Sequence, residues 1–269
     1  MTKNLIIISI FSLLIFSCKQ AETKEEVPVE EIEETIMSEE PKIQMVFPES
    51  IDKLFEAHGG LDRWNALGHL SFRLNKSRSN ESYQLNLQTG KSLVQGSDFI
   101  IGDDGEYVWL KEYGKPFKSD VRFYSKFHAY FMMMPFVLAD ENTVFTRAAA
   151  VKYQGTLYPG YRVSFREHHE NIPVDEYYIH FNPKTYRMEW LGYTMPKKPG
   201  SNENKVLMVR YRDLKVVDGV LLPNSLTWHR YRDGVIGSKT NAVRFSDIEL
   251  SNDPLATELF EMPEGVKAY

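Results

Sequence analysis

From about residue 70 onward, apolar side chains recur at every second position. Tyr83, Leu85 and Leu87 alternate with Gln84, Asn86 and Gln88, and Tyr161, Val163 and Phe165 with Arg162, Ser164 and Arg166. Tyr177, Ile179 and Phe181 alternate with Glu176 and His180. Leu207, Val209 and Tyr211 alternate with Met208, Arg210 and Arg212, and Val243 and Phe245 with Arg244 and Ser246. Tyr107, Trp109 and Tyr113 share one parity. A period of two with polar residues between predicts half-buried strands, each with one solvated face. Turn formers fall between them at Gly102-Asp103-Asp104-Gly105, Tyr158-Pro159-Gly160, Asn182-Pro183-Lys184-Thr185, Pro199-Gly200-Ser201-Asn202, Asp218-Gly219 and Asp233-Gly234. Because no helical pattern separates these strands, the expected connectivity is an antiparallel meander and not a parallel βαβ sheet.

Three segments after residue 47 follow another period. Ile51, Leu54, Phe55 and His58 repeat at helical spacing behind Ser50, a plausible N-cap. Gly59-Gly60 should stop that helix, and Leu61–Leu67 suggests a second short one. From Ser119 to Ala139, Phe123, Phe127, Tyr130, Phe131, Met134 and Leu138 form a helical stripe, with Ser119 as cap and Asp120 in the first turn. Its last part, Phe131 to Leu138, is apolar on every side, and Pro135 should kink or end it. A helix greasy all round has to be enclosed, for instance by a curved sheet, or has to offer its surface to an apolar ligand.

The first residues obey neither period. After Lys3, Leu5–Phe16 is apolar apart from Ser9 and Ser12. Twelve helical residues span about 18 Å, short of the roughly 30 Å hydrocarbon core, so the run reads as a signal-peptide h-region. It ends at Ile15-Phe16-Ser17-Cys18, which resembles a lipoprotein lipobox. Cys18, the only cysteine of the chain, would then be the lipidated N-terminus.

Composition sharpens this division. The chain has 269 residues and a net charge of −5, and residues 19–47 alone carry nine Glu against three Lys. That stretch, interrupted by Pro28 and Pro41, is too polar and too charged to bury a core, so a disordered acidic tether is expected. Residues 48–269 carry 28 acidic and 28 basic groups and read as a single domain. A neutral domain on an acidic tether lacks the basic footprint of a nucleic-acid binder. A single thiol excludes a disulfide framework and any site needing two cysteine ligands. The expected organisation is therefore a signal peptide over 1–17, a lipidated cysteine and tether over 18–47, and a β domain over 48–269.

Several phrases carry a resemblance. Ala57-His58-Gly59-Gly60 followed by Trp64, Phe181-Asn182-Pro183-Lys184-Thr185-Tyr186-Arg187-Met188, Tyr211-Arg212-Asp213, Val217–Pro223 and Leu259-Phe260-Glu261-Met262-Pro263 occur in this order. Together they resemble the LolA/LolB/RseB-like superfamily of bacterial envelope proteins, and among them lipoproteins of Bacteroidetes. The acidic residues after Cys18 resemble the surface-export signals of such lipoproteins, and Lys19 is not the Asp that retains enterobacterial lipoproteins at the inner membrane. The resemblance implies an α+β, mainly antiparallel fold: a curved, unclosed β-barrel whose concave face is covered by helices and encloses an apolar cavity. It also implies outer-membrane placement and the handling or sensing of lipids or lipoproteins, without assigning a role to any residue.

Candidate chemistry centres on that cavity. The Met and aromatic cluster Phe127, Tyr130, Phe131, Met133 and Met134, with Trp109, Trp190 and Trp228 from strand faces, is the expected lining for an acyl chain or other hydrophobic ligand. No motif points to a cofactor, and no set of residues has convincing metal-ligand spacing. Glu167-His168-His169-Glu170, with His180 or His229, leaves a metal-dependent hydrolase as an alternative, although side chains on a strand alternate in direction. Asp175, Glu176 and Glu189 could supply paired carboxylates, and a non-catalytic assembly partner of an outer-membrane complex is a further alternative.

Overall fold

The structure, a computed structural model, describes residues 45–77, 79–166, 176–194, 206–232 and 234–269. Two short helices come first, α1 (Glu49–Ala57) and α2 (Leu61–Asn65), followed by β1 (His69–Asn75), β2 (Asn80–Asn86), β3 (Ser92–Gln95), β4 (Phe99–Asp103) and β5 (Val108–Glu112). The third helix, α3 (Val121–Met133), and a 3₁₀ turn over Phe136–Leu138 precede the long strands. These are β6 (Thr143–Tyr153), β7 (Thr156–Phe165), β8 (Tyr177–Phe181), β9 (Met188–Thr194), β10 (Val206–Val217), β11 (Val220–Arg232) and β12 (Val235–Ser251), with β13 (Lys267–Ala268) at the end.

All thirteen strands belong to one sheet. β6 to β12 are successive antiparallel neighbours, and so are β1 to β5, with β13 outside β5. β12 joins the two meanders. Its first part pairs with β11, from Val235 to Arg244, and its last part pairs with β1, from Arg244 to Ser251. A single parallel pair, Val235 with Lys152, links the start of β12 to the end of β6. The seven strands β6–β12 thus form a ring that closes unevenly. The expected meander and its curvature are both present.

The local signals explain most boundaries. α1 starts two residues early, behind Pro48, and Ser50 sits inside its first turn with its hydroxyl 2.8 Å from Tyr161 Oη. Ile51, Leu54 and Phe55 form its buried face. Asp120, not Ser119, caps α3, accepting a hydrogen bond from Phe123 N at 2.8 Å, because its extended backbone aims the carboxylate at the first free N–H groups. α3 ends at Met133, just before Pro135. Tyr158-Pro159-Gly160 is not a turn but the interior of β7; the hairpin turns at Gln154-Gly155, where both residues adopt positive φ. Pro159 is tolerated there because β6 carries an irregularity between Ala148 and Val151, which relieves the ladder of one donor. Asp218-Gly219 does turn the chain, with Gly219 at φ 82°.

β8, β9 and β10 do not have one solvated face. On one face Ile179, Leu191, Val209 and Tyr211 join the main core with α1 and α3. On the other, Trp190 and Met208 join Val151, Tyr158 and Ile236 in a second, smaller core. His180, expected on the polar side, is likewise buried. The β6–β7 hairpin and the start of β12 supply the second layer, and only the ring closure brings them over β9 and β10.

Candidate functional site

Helix α3 lies against the face of the sheet that carries the main core. Val121, Ser125, Ala129, Phe131 and Met132 are buried along it. Tyr211 Oη on β10 donates a 2.9 Å hydrogen bond to Phe131 O and so fixes the helix to the sheet. An open cleft runs along each flank of the helix.

The first cleft has a volume of about 490 Å³ and lies between α3 and the β11–β12 pair. Phe127, Trp228 and Val243 supply its apolar wall, and Lys76, His128 and Thr240 its polar side. Aromatic rings support the wall from behind. Phe127 packs on Phe131 with centroids 4.6 Å apart and on Tyr193 at 5.8 Å, and Phe131 lies 6.1 Å from Trp228. Trp228 Nε1 donates to Tyr193 Oη at 2.9 Å, which fixes the indole plane. The second cleft, about 480 Å³, is bordered by Tyr130, Met133, Val137, Trp64, Leu85 and Leu87. Its rim carries the buried Asp103 paired with Lys126 at 3.0 Å. Both volumes fall in the range of about 300–1,000 Å³ typical of small-ligand sites.

The expected lining residues are thus distributed. Phe127 and Trp228 meet in the first cleft, and Tyr130 and Met133 in the second. Phe131 and Met134 are fully buried in the core beneath. Trp109 borders neither cleft. It lies flat over Gly102, where a Cβ would come within 2.1 Å of the ring, and donates Nε1 to Phe260 O at 3.0 Å. Trp190 is on the opposite face of the sheet, 4.8 Å from Tyr153 and 5.1 Å from His229, with the Arg210 guanidinium 5.4 Å over its ring.

Sequence reasoning missed a polar network at the inner end of the first cleft. Glu81, almost fully buried on β2, accepts from Lys76 Nζ and Tyr124 Oη, both at 2.6 Å, and from Tyr83 Oη at 3.2 Å. Lys76 Nζ also donates to Tyr124 Oη at 2.6 Å and lies 4.9 Å over its ring. Tyr83 Oη is 3.3 Å from His128 Nδ1. Burial, reinforced by the Lys76 charge, lowers the His128 pKa to about 3, so the ring is neutral at physiological pH. No local sequence signal announced this cluster, because His128 is one of several polar residues of α3, with Arg122, Ser125 and Lys126.

The alternative chemistries find little support. Among the described residues no group of three or more His, Cys, Asp or Glu is placed to hold a metal ion. Glu167–Glu170 and Asp175 lie outside the described residues. His180 Nδ1 is turned to Tyr158 O at 3.3 Å and His229 Nδ1 to Gly237 O at 3.0 Å. Glu176 is held by Arg162, and Glu189 by Asn182 and Arg210. Cys18 and the acidic stretch also lie outside the described residues. Among the described residues no helix is long and apolar enough to cross a membrane.

No family model matches the chain, and no curated protein matches it. Several solved structures are similar. One is a LolA superfamily protein from Nitrosomonas europaea, at 9% identity over 72% of this chain and 88% of that one, with a TM-score of 0.46. Another is a DUF1329 family protein from Desulfovibrio piger, at 10% identity over 79% and 95%, with a TM-score of 0.49. A third is a putative outer membrane lipoprotein-sorting protein domain from Vibrio parahaemolyticus, at 10% identity over 75% and 91%, with a TM-score of 0.40. At such identities the likeness is one of fold and assigns no ligand, partner or residue role.

Proposed function

We propose that this chain is a lipid-anchored protein of the bacterial envelope whose β domain holds an acyl chain or another hydrophobic ligand beside α3, without covalent chemistry. The observation that carries the reading is the first cleft. There Phe127 from α3 and Trp228 from β11 present half-buried aromatic faces to an open groove, backed by a rigid aromatic floor. Large apolar side chains left beside an open groove gain stability when a ligand removes them from water, by roughly 25 cal/mol per Å² covered. Met133 and Tyr130 offer a similar surface across the helix, and the flexible thioether suits ligands of variable shape.

The anchor belongs to the same reading. Cys18 at the end of the apolar run supplies the site of lipidation, and the acidic stretch after it supplies a spacer that lets the domain work at a distance from an outer membrane. Which leaflet carries it is a matter for protease accessibility of intact cells. Two measurements test the proposal. Radiolabelled palmitate should enter the wild-type protein and not Cys18→Ser; equal labelling removes the anchor. Native mass spectrometry of the chain after residue 18 should show a co-purifying apolar ligand, and Phe127→Ala with Trp228→Ala should lose it. A wild-type protein that carries no ligand and binds no fluorescent fatty acid overturns the binding function.

A further inference from the structure

We infer that the first cleft selects apolar ligands that bear a hydroxyl group, which His128 and Lys76 recognise together. The inference rests on the binding function proposed above and names the ligand class for that same cleft.

The protons of the buried network set the polarity of both groups. Glu81 lies among Lys76, Tyr124 and Tyr83, each of which donates to it. An ionised carboxylate only accepts, so the single proton of Tyr83 is spent on Glu81 Oε2. The Tyr83 oxygen is then an acceptor toward its other neighbour, His128 Nδ1, at 3.3 Å. A neutral imidazole with its proton on Nδ1 has a bare lone pair on Nε2. His128 borders the cleft, and with the proton on Nδ1 its remaining ring nitrogen is an acceptor. Lys76 supplies the opposite polarity. Two of its three N–H groups go to Glu81 Oε1 and Tyr124 Oη, and the ammonium also borders the cleft, with its third N–H left to donate.

A hydroxyl can donate to one nitrogen and accept from the other. A bare hydrocarbon can satisfy neither group. An ether oxygen can accept from Lys76 but cannot donate to His128. A carboxylate would face the Nε2 lone pair of a histidine that resists protonation and a lysine already paired with Glu81. The apolar remainder of the ligand lies along Phe127, Trp228 and Val243. Long-chain alcohols and hydroxyacyl chains have this chemistry in common.

The test uses the whole chain after residue 18, which keeps every described residue. Displacement of the fluorescent probe N-phenyl-1-naphthylamine is measured with 1-dodecanol, dodecyl methyl ether and dodecane. The wild type should prefer the alcohol over the ether by about tenfold, the value of one hydrogen bond made in a sheltered site. His128→Phe should bring the alcohol to the level of the ether while leaving ether binding within about twofold. Lys76→Met should weaken alcohol and ether alike. Circular dichroism melting shows whether each variant is folded. If His128→Phe does not fold, Tyr83→Phe takes its place: without the tyrosine oxygen nothing holds the proton on Nδ1, and the alcohol preference should fall at least about threefold. Equal binding of alcohol and ether by the wild type, or a preference that survives His128→Phe or Tyr83→Phe, overturns the inference and leaves apolar binding standing. Failure of the naphthylamine probe to bind at all overturns both.

Discussion

His58 makes the fold sensitive to acid in a way that can be calculated. It follows α1 directly and is almost fully buried. Met188 N on β9 donates to its Nε2 at 3.0 Å, so the ring proton sits on Nδ1 and is donated to Leu221 O on β11, also at 3.0 Å. One neutral imidazole therefore ties the first helix to two strands of the ring. Protonating Nε2 would break the bond from Met188 and place a charge in the core. Burial is the main cause that lowers its pKa from 6.5 to about 4, and the nearby Arg187 charge acts the same way. The sign follows from linkage. As pH falls below 6.5, the unfolded chain takes up the proton and the folded one does not, until about pH 4. Stability is complete above the unfolded value, declines between the two values and stops declining below the folded one. Between pH 7 and pH 5 this single group should cost about 2 kcal/mol. Urea unfolding followed by circular dichroism at both pH values measures the loss. His180 and His128, lowered to about 4 and about 3 mainly by burial, contribute in the same direction, so the decisive comparison is with His58→Gln. Glutamine has a donor and an acceptor but does not titrate. The variant should be less stable at pH 7, and its loss on going to pH 5 should be smaller than that of the wild type by about 2 kcal/mol. If wild type and variant lose the same amount, His58 is not neutral in the folded protein and the reasoning fails.

Other perturbations separate packing from binding. Gly160→Ala should destabilise by about 3 kcal/mol, because a Cβ there meets His180 Nδ1 at 2.3 Å and Ile179 O at 2.4 Å; a melting temperature equal to wild type would contradict this. Phe131→Ala, deep beneath the clefts, should cost about 3–5 kcal/mol in urea unfolding. Met133→Ala, on the open second cleft, should cost under about 1 kcal/mol in the same assay, and a similar cost for both would mean that the cleft is closed. Asp120→Ala should remove the cap of α3 and about 1 kcal/mol of stability, read as a lower denaturation midpoint with an unchanged slope.

The alternation of Tyr161, Val163 and Phe165 or of Leu207, Val209 and Tyr211 made strands legible, because side-chain direction along a strand is a local property of the backbone. The stripe from Phe123 to Leu138 made α3 legible for the same reason, and Pro135 marked its end. The caps were misplaced by two residues at Ser50 and by one at Ser119, since cap choice depends on backbone angles that the side chain alone does not reveal. The pattern from Gly160 misled for a different reason. A glycine in Tyr158-Pro159-Gly160 looks like a turn, yet here it makes room for His180 on the neighbouring strand.

By itself, then, the sequence determined the element types, the meander order of the long strands and the greasy helix that had to be covered, all from periodicity within a few residues. The tertiary structure decided what those elements bury. Closing β6 onto β12 through Val235 and Lys152 turned the polar-looking side of β9 and β10 into a second core around Trp190. Setting α3 against the sheet separated Phe127 from Met133 and drew Lys76, Glu81, Tyr83 and Tyr124 around His128. These residues come from β2, the loop before it and α3, and their meeting depends on strand pairings tens of residues apart. Burial and proton placement are properties of such non-local neighbours, so no local pattern could announce them.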